Sequence, residues 1–589
     1  MSTVDRRTVL SAIAFCSALL LAPAALYAQN PCPRFTPGSV VTEPPNLFSK
    51  NGVLSVDLIF YTTVDPNIPV DTAPNPVPPP LATGLQQFCF ATPDGQEGPT
   101  LHVWPGDQLV IHVKNDASSA LMFEPDGTVD YNQASGEDNT SLTGIPVPSP
   151  CLAPNLTAAS TNIYFHGLDI APKCGKNNEL RTIINSGDRF TYSVEIPRNA
   201  APGLYWYHPH IHGTSDGLVQ GGASGAIIVE GIQNIQPEVA GLPERTFLFR
   251  DQPVPGGPNP VIGSEIPSWD LTVNYITVSS CQDPQPCNPN QFVGEFKPAV
   301  MRMKPGERQF WRVVDATSHT PVDLQLLYDG VPQPLEIVAI DGVPLNFHDG
   351  RRGGRTVTQT DIALPPSARA EFIITGPPPS VKNAVLQTLR VPTGPEGDNH
   401  PERPLIAIQT SSDASEPSLT MPGVSDVADT QRIADLADEK PSTTRHLYFS
   451  EVLVEPNNPL GPTNFYLTVQ GATPTLFTPQ TPPAIVTTQG SVEDWTIENQ
   501  AQENHAFHIH NLHFLVVAMN GVPLPRDQQE YLDVINLPFW TGTGPFPSVT
   551  VRMDFRGADV GDLFYECDYL FHADFGMRAL VRVLPKREE

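Results

Sequence analysis

Basic residues are scarce in this chain of 589 residues, and charged residues of either sign are few. Only 16 % of the residues are Asp, Glu, Lys or Arg, and 34 basic residues stand against 63 acidic ones, which gives a formal net charge of −29. This acidity argues against a protein that binds nucleic acid or an anionic membrane through a basic patch. Cysteine is also scarce, because eight cysteines in a chain of this length are too few for a disulfide scaffold.

Proline, in contrast, is abundant, at 66 residues. Proline at this density breaks helices, so an α-rich or coiled-coil protein is excluded. The hydrophobic content of 40 % is sufficient for packed cores and excludes global disorder. The length is greater than one core normally supports and predicts about two to four domains.

Residues 1–28 have the pattern of an export signal. Arg6 and Arg7 precede an apolar run over Val9–Leu26, and Ala28 is a small residue where cleavage is expected. The paired arginines resemble a twin-arginine signal, which carries folded, cofactor-loaded proteins. The run is nearly long enough for a transmembrane anchor, but Pro23 and the small-residue end favour cleavage. We therefore expect a periplasmic or secreted protein without a stable membrane anchor.

Seven cysteines remain once that signal is removed. Cys281 and Cys287 bracket a short proline-containing loop and are suited to close a small ring. Two further bridges are possible among four cysteines whose pairing the sequence leaves open: Cys32, Cys89, Cys151 and Cys174. Cys567 is then the odd thiol.

One pattern occurs three times, at residues 98–115, 298–315 and 483–499. Each copy has an alternating strand, a turn that contains glycine, and a second alternating strand. The turns are 200 and 184 residues apart, which predicts three copies of one β-domain. Period-2 strands with loops rich in proline and glycine are typical of antiparallel sandwiches.

The predicted fold is therefore all-β, with three tandem Greek-key β-sandwich domains. We place domain 1 at 29–235, domain 2 with a linker at 236–430, and domain 3 at 431–589. The stretch from about 376 to 444 is poor in strand signals and rich in Pro, Asp, Ser and Glu, and we interpret it as a long linker.

Histidines cluster at the ends of the first and third copies. In the first copy they are His166, His208 and His210, and the third copy contains His505, His508, His510 and His572. Residues two apart on a strand face the same side, so each His-x-His pair presents two imidazoles to one site.

Cys567 alternates with its two neighbours along a strand and faces the opposite side from them. There it is placed to meet His505, His572 and Met577. Two imidazoles, one thiolate and a weak thioether are the ligand set of a blue-copper (type-1) electron-transfer site. The spacing of these four residues therefore predicts a type-1 copper.

These motifs resemble those of the three-domain multicopper oxidases, the laccase-like family built from cupredoxin domains. The family motifs map onto residues 164–167, 208–210, 505–510 and 566–577. The resemblance implies three cupredoxin-like domains and an oxidoreductase in which a small-molecule or metal-ion reductant gives electrons to the type-1 copper. In the family, a trinuclear copper cluster between the domains then reduces dioxygen to water.

Three positions depart from the family pattern. Tyr164 stands where the family has a type-2 copper histidine, and Glu566 and Asp568 replace both type-3 histidines beside the cysteine. Five of the eight cluster ligands remain: His166, His208, His210, His508 and His510. The repeat pairs His508 with Tyr164, and it pairs Glu566 and Asp568 with His208 and His210.

Two interpretations of these substitutions compete, loss of the cluster and a remodelled metal site. All three replacements carry oxygen ligands, which are harder than imidazole, so the site fits iron, manganese, zinc or fewer coppers. We predict an exported, laccase-like copper oxidoreductase with additional copper or another transition metal at the interdomain site. Its candidate catalytic residues are Cys567, His505, Glu566 and Asp568. The alternatives are a protein with only type-1 copper, for electron transfer or metal binding, and a non-catalytic cupredoxin scaffold.

Overall fold

The computed structural model describes residues 31–65, 85–117, 149–157, 159–254, 263–278, 296–346, 354–415, 417, 436–456 and 462–586. The predicted export signal and the cysteine pair at 281 and 287 lie outside these residues. Strands make up most of the regular structure in the described part, with two short α-helices, α1 (Ser215–Gln220) and α2 (Leu570–Asp574). None of the described helices is long and apolar enough to span a bilayer.

The first sandwich is formed by the N-terminal strands. They are β1 (Asn46–Phe48), β2 (Val53–Asp65), β3 (Leu85–Ala91), β4 (Thr100–Val103), β5 (Gln108–Asn115), β6 (Tyr164–His166), β7 (Arg189–Glu195), β8 (Gly203–His208) and β9 (Gly225–Val229). One sheet has the order β1-β4-β9-β8-β6 and the other β3-β2-β5-β7. The apolar side chains between them, such as Phe60 and Ile111, are fully buried.

The second sandwich follows directly. Its strands are β10 (Glu244–Pro253), β11 (Trp269–Val273), β12 (Ile276–Val278), β13 (Ala299–Met303), β14 (Arg308–Asp315), β15 (Val322–Tyr328), β16 (Val331–Pro332), β17 (Leu335–Ile340), β18 (Val343–Pro344), β19 (Val357–Gln359), β20 (Asp361–Leu364), β21 (Arg369–Thr375), β22 (Ala384–Thr388) and β23 (Arg403–Thr410). One sheet has the order β12-β11-β10-β14-β21-β17-β18, with β19 beside β17, and the other β13-β23-β22-β15-β16, with β20 beside β15.

The predicted linker over 376–444 is wrong for its first part. β22 lies between β15 and β23 in the second sheet, and β23 pairs with β13. Leu386, Leu405 and Ile406 from these strands are fully buried in the second core. The strands are short and flanked by proline and polar residues, so the average composition of the stretch concealed them.

The third sandwich contains the C-terminal strands. They are β24 (Thr443–Leu453), β25 (Thr463–Val469), β26 (Ile485–Thr488), β27 (Val492–Asn499), β28 (His505–Ile509), β29 (Phe514–Met519), β30 (Val522–Pro523), β31 (Tyr531–Leu532), β32 (Val534–Leu537), β33 (Ser548–Asp554), β34 (Gly561–Cys567) and β35 (Arg578–Leu584). One sheet has the order β25-β24-β27-β33-β29-β30, with β31 beside β29, and the other β26-β35-β34-β28-β32.

The predicted repeat is present in each sandwich as two strands that belong to opposite sheets. The pairs are β4 and β5, β13 and β14, and β26 and β27. Between them the chain turns at Gly106, Gly306 and Gly490, whose φ angles of +90°, +67° and +96° favour glycine. The all-β prediction of three tandem sandwiches is confirmed, whereas the boundaries at 235 and 430 stay predictions.

Two disulfides resolve the pairing that the sequence left open. Cys32 is bonded to Cys89, and Cys151 is bonded to Cys174. The first bridge ties the segment before β1 to β3, and the second ties the segment before β6 to the loop that follows it. Cys567 is a buried free thiol, as the count of cysteines predicted.

Candidate metal centre

Strand β28, strand β34 and helix α2 bring His505, Cys567 and His572 together inside the third sandwich. The Sγ atom of Cys567 lies 3.5 Å from Nδ1 of His505 and 3.6 Å from Nδ1 of His572, and the two nitrogens are 3.2 Å apart. A point equidistant from the three atoms lies about 2.0 Å from each, which is close to transition-metal bonds to imidazole and thiolate. The three side chains therefore fit one metal ion.

Met577 follows α2, and the backbone holds it next to the other three residues. Its N–H donates to the carbonyl of His572 over 2.9 Å, and its own carbonyl accepts from the N–H of Cys567 over 3.0 Å. The Met577 side chain is fully buried. All four residues predicted for the type-1 site thus occupy one buried region.

Burial keeps the thiol and both imidazoles of this site uncharged in the absence of a metal. It raises the pKa of the Cys567 thiol well above its usual range, so a thiolate at this position requires a neighbouring cation. Burial lowers the pKa of His505 well below its usual range and that of His572 to about 4, so both imidazoles are neutral at pH 7 and keep a lone pair.

Two glutamates that the sequence motifs did not reveal lie behind the imidazoles. Glu451 Oε1 is 2.9 Å from Nε2 of His505, and Glu503 Oε1 is 3.6 Å from Nε2 of His572. Phe465 stacks on His572 with ring centroids 4.4 Å apart. Such outer contacts fix the orientation of metal-ligating imidazoles. Glu451 comes from β24 and precedes the ligand motifs by more than fifty residues, so no spacing pointed to it.

The second group of predicted residues lies between the first and third sandwiches. Its members come from β6, β8 and the residues after β8 on one side, and from β28, β34 and the residues after them on the other. Each is at most 1 % exposed: Tyr164, His166, His208, His210, His508, His510, Glu566 and Asp568. The structure therefore brings together all eight positions of this interdomain site.

Tyr164 and His508 are hydrogen-bonded, in agreement with the predicted pairing. The Nδ1–H of His508 donates to the carbonyl of Asp533 over 2.7 Å, which leaves a lone pair on Nε2. The Tyr164 hydroxyl lies 3.0 Å from that atom and donates to it. Burial raises the pKa of Tyr164 well above its usual range and lowers that of His508 to about 3, so both groups are neutral.

Glu566 lies against two imidazoles. Its Oε1 atom is 2.7 Å from Nε2 of His210 and 3.0 Å from Nε2 of His510. Its other oxygen is 2.8 Å from Nε of Arg578, the residue opposite it in the β34–β35 pairing. Nδ1 of His510 is hydrogen-bonded to Glu179.

Asp568 is placed differently. Its Oδ2 atom is 4.0 Å from Nε2 of His166 and 3.9 Å from Nδ1 of His508. The predicted pairing with His208 and His210 is therefore correct for Glu566 with His210. It is wrong for Asp568, which lies near His166 and His508 instead. Burial, then the charge of Glu566, raises the pKa of Asp568 well above its usual range.

A buried ion pair from the second domain completes this interface. Arg369, at the start of β21, donates from Nη1 and Nη2 to the two oxygens of Asp533, each over 2.6 Å. Asp533 Oδ1 is also 3.5 Å from Nε2 of His166. Burial acts to raise the pKa of Asp533, but Arg369 and His166 outweigh it and hold the pKa well below its usual range. Asp533 is thus ionised, and each of its oxygens accepts a hydrogen bond from Arg369.

The chemistry of the donor sets separates the two centres. The type-1 residues offer a thiolate, two neutral imidazoles and a buried thioether, which fits copper. The interdomain site does not fit the family's three-copper cluster. The Tyr164 hydroxyl donates a hydrogen bond to the lone pair of His508, and Arg578 forms an ion pair with Glu566, which stands at a type-3 position. It remains a buried set of imidazoles and carboxylates that fits fewer metal ions.

Comparison with known proteins agrees with this geometry. Two multicopper oxidase family models match residues 153–234 and 456–587, the segments that carry the metal-site motifs. A multicopper oxidase (mco) of Staphylococcus haemolyticus is 30 % identical over 95 residues, which are 15 % of this chain and 20 % of that protein. The matched segment therefore spans about a fifth of that relative's length.

Solved structures with the same fold cover nearly the whole chain. The multicopper oxidase from Campylobacter jejuni, described as a metallo-oxidase, is 17 % identical, with 94 % of this chain and 96 % of that chain covered and a TM-score of 0.59. The multicopper oxidase McoA from Aquifex aeolicus is 15 % identical, with 93 % and 99 % covered and a TM-score of 0.60. At these identities the likeness shows the cupredoxin-like fold alone. Since the family models match at the motifs and the fold extends over three domains, these likenesses support a laccase-like multicopper oxidase family for the chain.

Proposed function

We propose that the protein is an exported, laccase-like copper oxidoreductase. A reducing substrate, either a small molecule or a metal ion, gives single electrons at a type-1 copper held by His505, Cys567, His572 and Met577. The electrons pass to the remodelled interdomain metal site, where dioxygen is reduced. The observation that carries this proposal is the triangle of 3.2, 3.5 and 3.6 Å formed by the three type-1 ligand atoms.

The supporting chemistry at the type-1 site is one-electron transfer. A copper bound there supplies a Cu⁺/Cu²⁺ couple whose potential depends on the thiolate and on its surroundings. The protein contributes neutral imidazoles, held by Glu451 and Glu503 from behind, and a dry environment around Cys567. These contacts hold the ligands in place in both redox states.

The connection to the interdomain site is covalent. Cys567 lies between Glu566 and Asp568, which face the interdomain site, while its own Sγ faces the type-1 site. Electrons that pass from the type-1 site to the interdomain site therefore need to cross only the backbone between Cys567 and its neighbours in sequence. This continuity supports transfer from the first centre to the second.

The reductant enters on the side of α2. Phe571 and Phe575 are in contact there, with centroids 4.5 Å apart, and Phe575 is 54 % exposed. Phe571 precedes His572, and its ring centroid is 6.2 Å from that of the imidazole, so a donor docked on this helix would come close to the type-1 ligand. Export to the periplasm or beyond the cell is supported by the N-terminal pattern and by the two disulfides, which persist in oxidising compartments.

Oxygen uptake tests the proposal. Purified protein loaded with copper should show a thiolate-to-copper charge-transfer band and consume dioxygen when a one-electron donor is added. Cys567→Ser should abolish both, because the thiolate is lost, whereas His112→Gln, a surface histidine of the first domain, should leave both unchanged. Absence of the band in protein loaded with copper would disprove the type-1 assignment.

A protein with type-1 copper alone is the second candidate. It is favoured by the two contacts that occupy former ligand positions, Tyr164 with His508 and Arg578 with Glu566. In that case the charge-transfer band is present and bleaches with a donor, but dioxygen is not consumed.

A further inference from the structure

We propose that the interdomain site binds a single divalent first-row transition-metal ion through Nε2 of His210, Nε2 of His510 and Oε1 of Glu566. This inference deepens the proposed function and rests on it, because it specifies the metal site to which the electrons pass. It differs from the family's cluster both in the number of ions and in the carboxylate ligand.

The separations of the three ligand atoms fit one octahedral metal ion. Oε1 of Glu566 is 2.7 Å from Nε2 of His210 and 3.0 Å from Nε2 of His510. Adjacent ligands of an octahedral ion with bonds of about 2.1 Å are about 3.0 Å apart. Both separations match this spacing, and the three atoms lie within 4.8 Å of one another, so Oε1 and the two nitrogens fit one octahedral ion with its other positions open.

The contact between His210 and Glu566 is short but is not aligned as a hydrogen bond. Among the described residues, neither ring nitrogen of His210 has a hydrogen-bond partner, although the side chain is buried. A buried polar atom without a partner destabilises the folded protein. A metal ion on which the lone pairs of the carboxylate and the imidazole converge removes this cost.

Two neighbouring residues orient the ligands. Arg578 Nε lies 2.8 Å from Oε2 of Glu566, so the second carboxylate oxygen is occupied and Oε1 is left as the single ligand atom. His510 is hydrogen-bonded on both sides, by Nδ1 to Glu179 and by Nε2 to Oε1 of Glu566 over 3.0 Å. A metal ion would take the place of the proton between Nε2 and Oε1, while Glu179 keeps the ring oriented. Such carboxylate–histidine and charge contacts are typical of residues that surround metal ligands.

The other two positions of the former cluster are incomplete. The lone pair of His508 is used by Tyr164. Near His166, the Asp568 oxygen is 4.0 Å away, beyond the spacing of adjacent ligands, and both oxygens of Asp533 are bound by Arg369. Within the described residues of the interdomain site, the set of His210, His510 and Glu566 is the one in which a carboxylate oxygen lies 2.7 and 3.0 Å from two imidazole nitrogens.

The donor set indicates the class of metal. Two histidines and one carboxylate with open positions form the ligand set of mononuclear non-haem iron sites that handle dioxygen. Carboxylate oxygen is a harder ligand than the imidazole that the family uses, so iron(II) is the expected occupant in place of a copper pair.

Metal titration in the absence of the type-1 centre tests the inference. Cys567→Ser protein, stripped of metal and titrated anaerobically with iron(II), should bind one equivalent. Adding Glu566→Gln should weaken binding by at least about tenfold, whereas adding Asp568→Asn should leave the stoichiometry at one. Binding of two or more equivalents, or equal loss in the Glu566→Gln and Asp568→Asn proteins, would overturn the assignment.

A second variant covers the case in which Glu566→Gln disturbs folding by leaving Arg578 unpaired. His210→Gln removes a ligand without breaking a hydrogen bond and should also abolish binding of the single equivalent. Retention of iron in this protein would contradict the proposal. Failure of the proposed function is recognised separately, since it is judged from the charge-transfer band and oxygen uptake of the copper-loaded chain with an intact Cys567.

Discussion

The Tyr164 hydroxyl donates a hydrogen bond to Nε2 of His508 over 3.0 Å, across the interface between the first and third domains. In the multicopper oxidases that this chain resembles, both positions are histidines that bind the type-2 copper. Here Tyr164 stands at one of these positions, and its hydroxyl donates a hydrogen bond to His508 at the other. The bond closes a metal position and at the same time joins two domains.

Restoring histidine at position 164 should therefore reopen that position. Tyr164→His supplies a second imidazole opposite His508, and we expect metal analysis to show more metal per chain than in the unchanged protein. Tyr164→Phe is the matched control, because it frees His508 without adding a ligand and should not raise the metal content. Tyr164→His combined with Glu566→His and Asp568→His should raise the copper content further. An unchanged copper content in this triple variant would show that the pocket does not assemble.

Arg578 should matter for metal binding as well as for stability. Arg578→Met leaves Glu566 buried without its cation, and breaking such a pair costs about 3–5 kcal/mol of unfolding free energy. The affinity of the interdomain site should fall about 10–100-fold, because the carboxylate is no longer oriented. Chemical unfolding and metal titration of the same protein measure the two effects. Arg445→Met, on strand β24 of the third domain, breaks a more exposed pair with Glu493 and should change stability less and leave the metal affinity unaltered.

The domain contact between His319 and Asp216 predicts a dependence of stability on pH. Nε2 of His319 lies 2.8 Å from Oδ1 of Asp216. Burial acts to lower the pKa of His319, but Asp216, with Asp251 and Asp398, raises it to about 9. Because the folded-state pKa is raised, the stabilisation is complete below about pH 6.5 and is lost as the pH rises through about 9. The loss should reach about 3 kcal/mol.

Thermal unfolding between pH 6 and pH 10 measures this effect. His319→Gln should be less stable than the unchanged protein at pH 6 and should show a flatter decline in Tm towards pH 10. A parallel decline in the two proteins would mean that His319 is not protonated in the folded state.

The two disulfides should differ in their contribution to stability. The bridge between Cys32 and Cys89 closes a segment of 57 residues, and that between Cys151 and Cys174 closes one of 23. Loop-closure entropy then predicts losses of about 4 and about 3 kcal/mol when each is removed. Replacing each pair with serine and following unfolding in denaturant tests the order. The charge-transfer band of Cys567 should persist in both variants, since neither bridge contacts the type-1 residues.

Much of the fold, and the grouping of the four residues proposed for the type-1 site, could be predicted because the signals are local. Alternation with period two and a glycine at each turn recur in all three copies, and Gly106, Gly306 and Gly490 have the positive φ that the turn requires. Cys567 is the last residue of β34, His572 lies in α2, and Met577 directly precedes β35. Short-range patterns of this kind survive in a single sequence.

The residues that surround the histidines of the interdomain site were not predictable in the same way. Arg369, Asp533 and Glu179 lie in separate parts of the chain, and only packing of the domains brings them to the histidines. Arg578 has a signal in retrospect, because it is a buried cation opposite Glu566 in the strand pairing. That signal requires the register of β34 and β35, which a single sequence does not give.

The strands β22 and β23 were missed for a related reason. Their buried apolar residues are flanked by prolines and polar residues, so the average composition of 376–444 indicated a linker. Pairing with β15 and β13 stabilises them in the second sandwich. Long-range strand pairing thus outweighed the local composition.

The most direct test of the account is the reoxidation of the type-1 copper by dioxygen in a single turnover. Protein loaded with metal is reduced anaerobically until the charge-transfer band has bleached, and is then mixed rapidly with dioxygen while the band is followed. The account predicts that the band returns in the unchanged protein and returns at least about tenfold more slowly in Glu566→Gln, which weakens the interdomain metal. Equal rates in the two proteins, or no return of the band in the unchanged protein, would contradict transfer of electrons through the interdomain site.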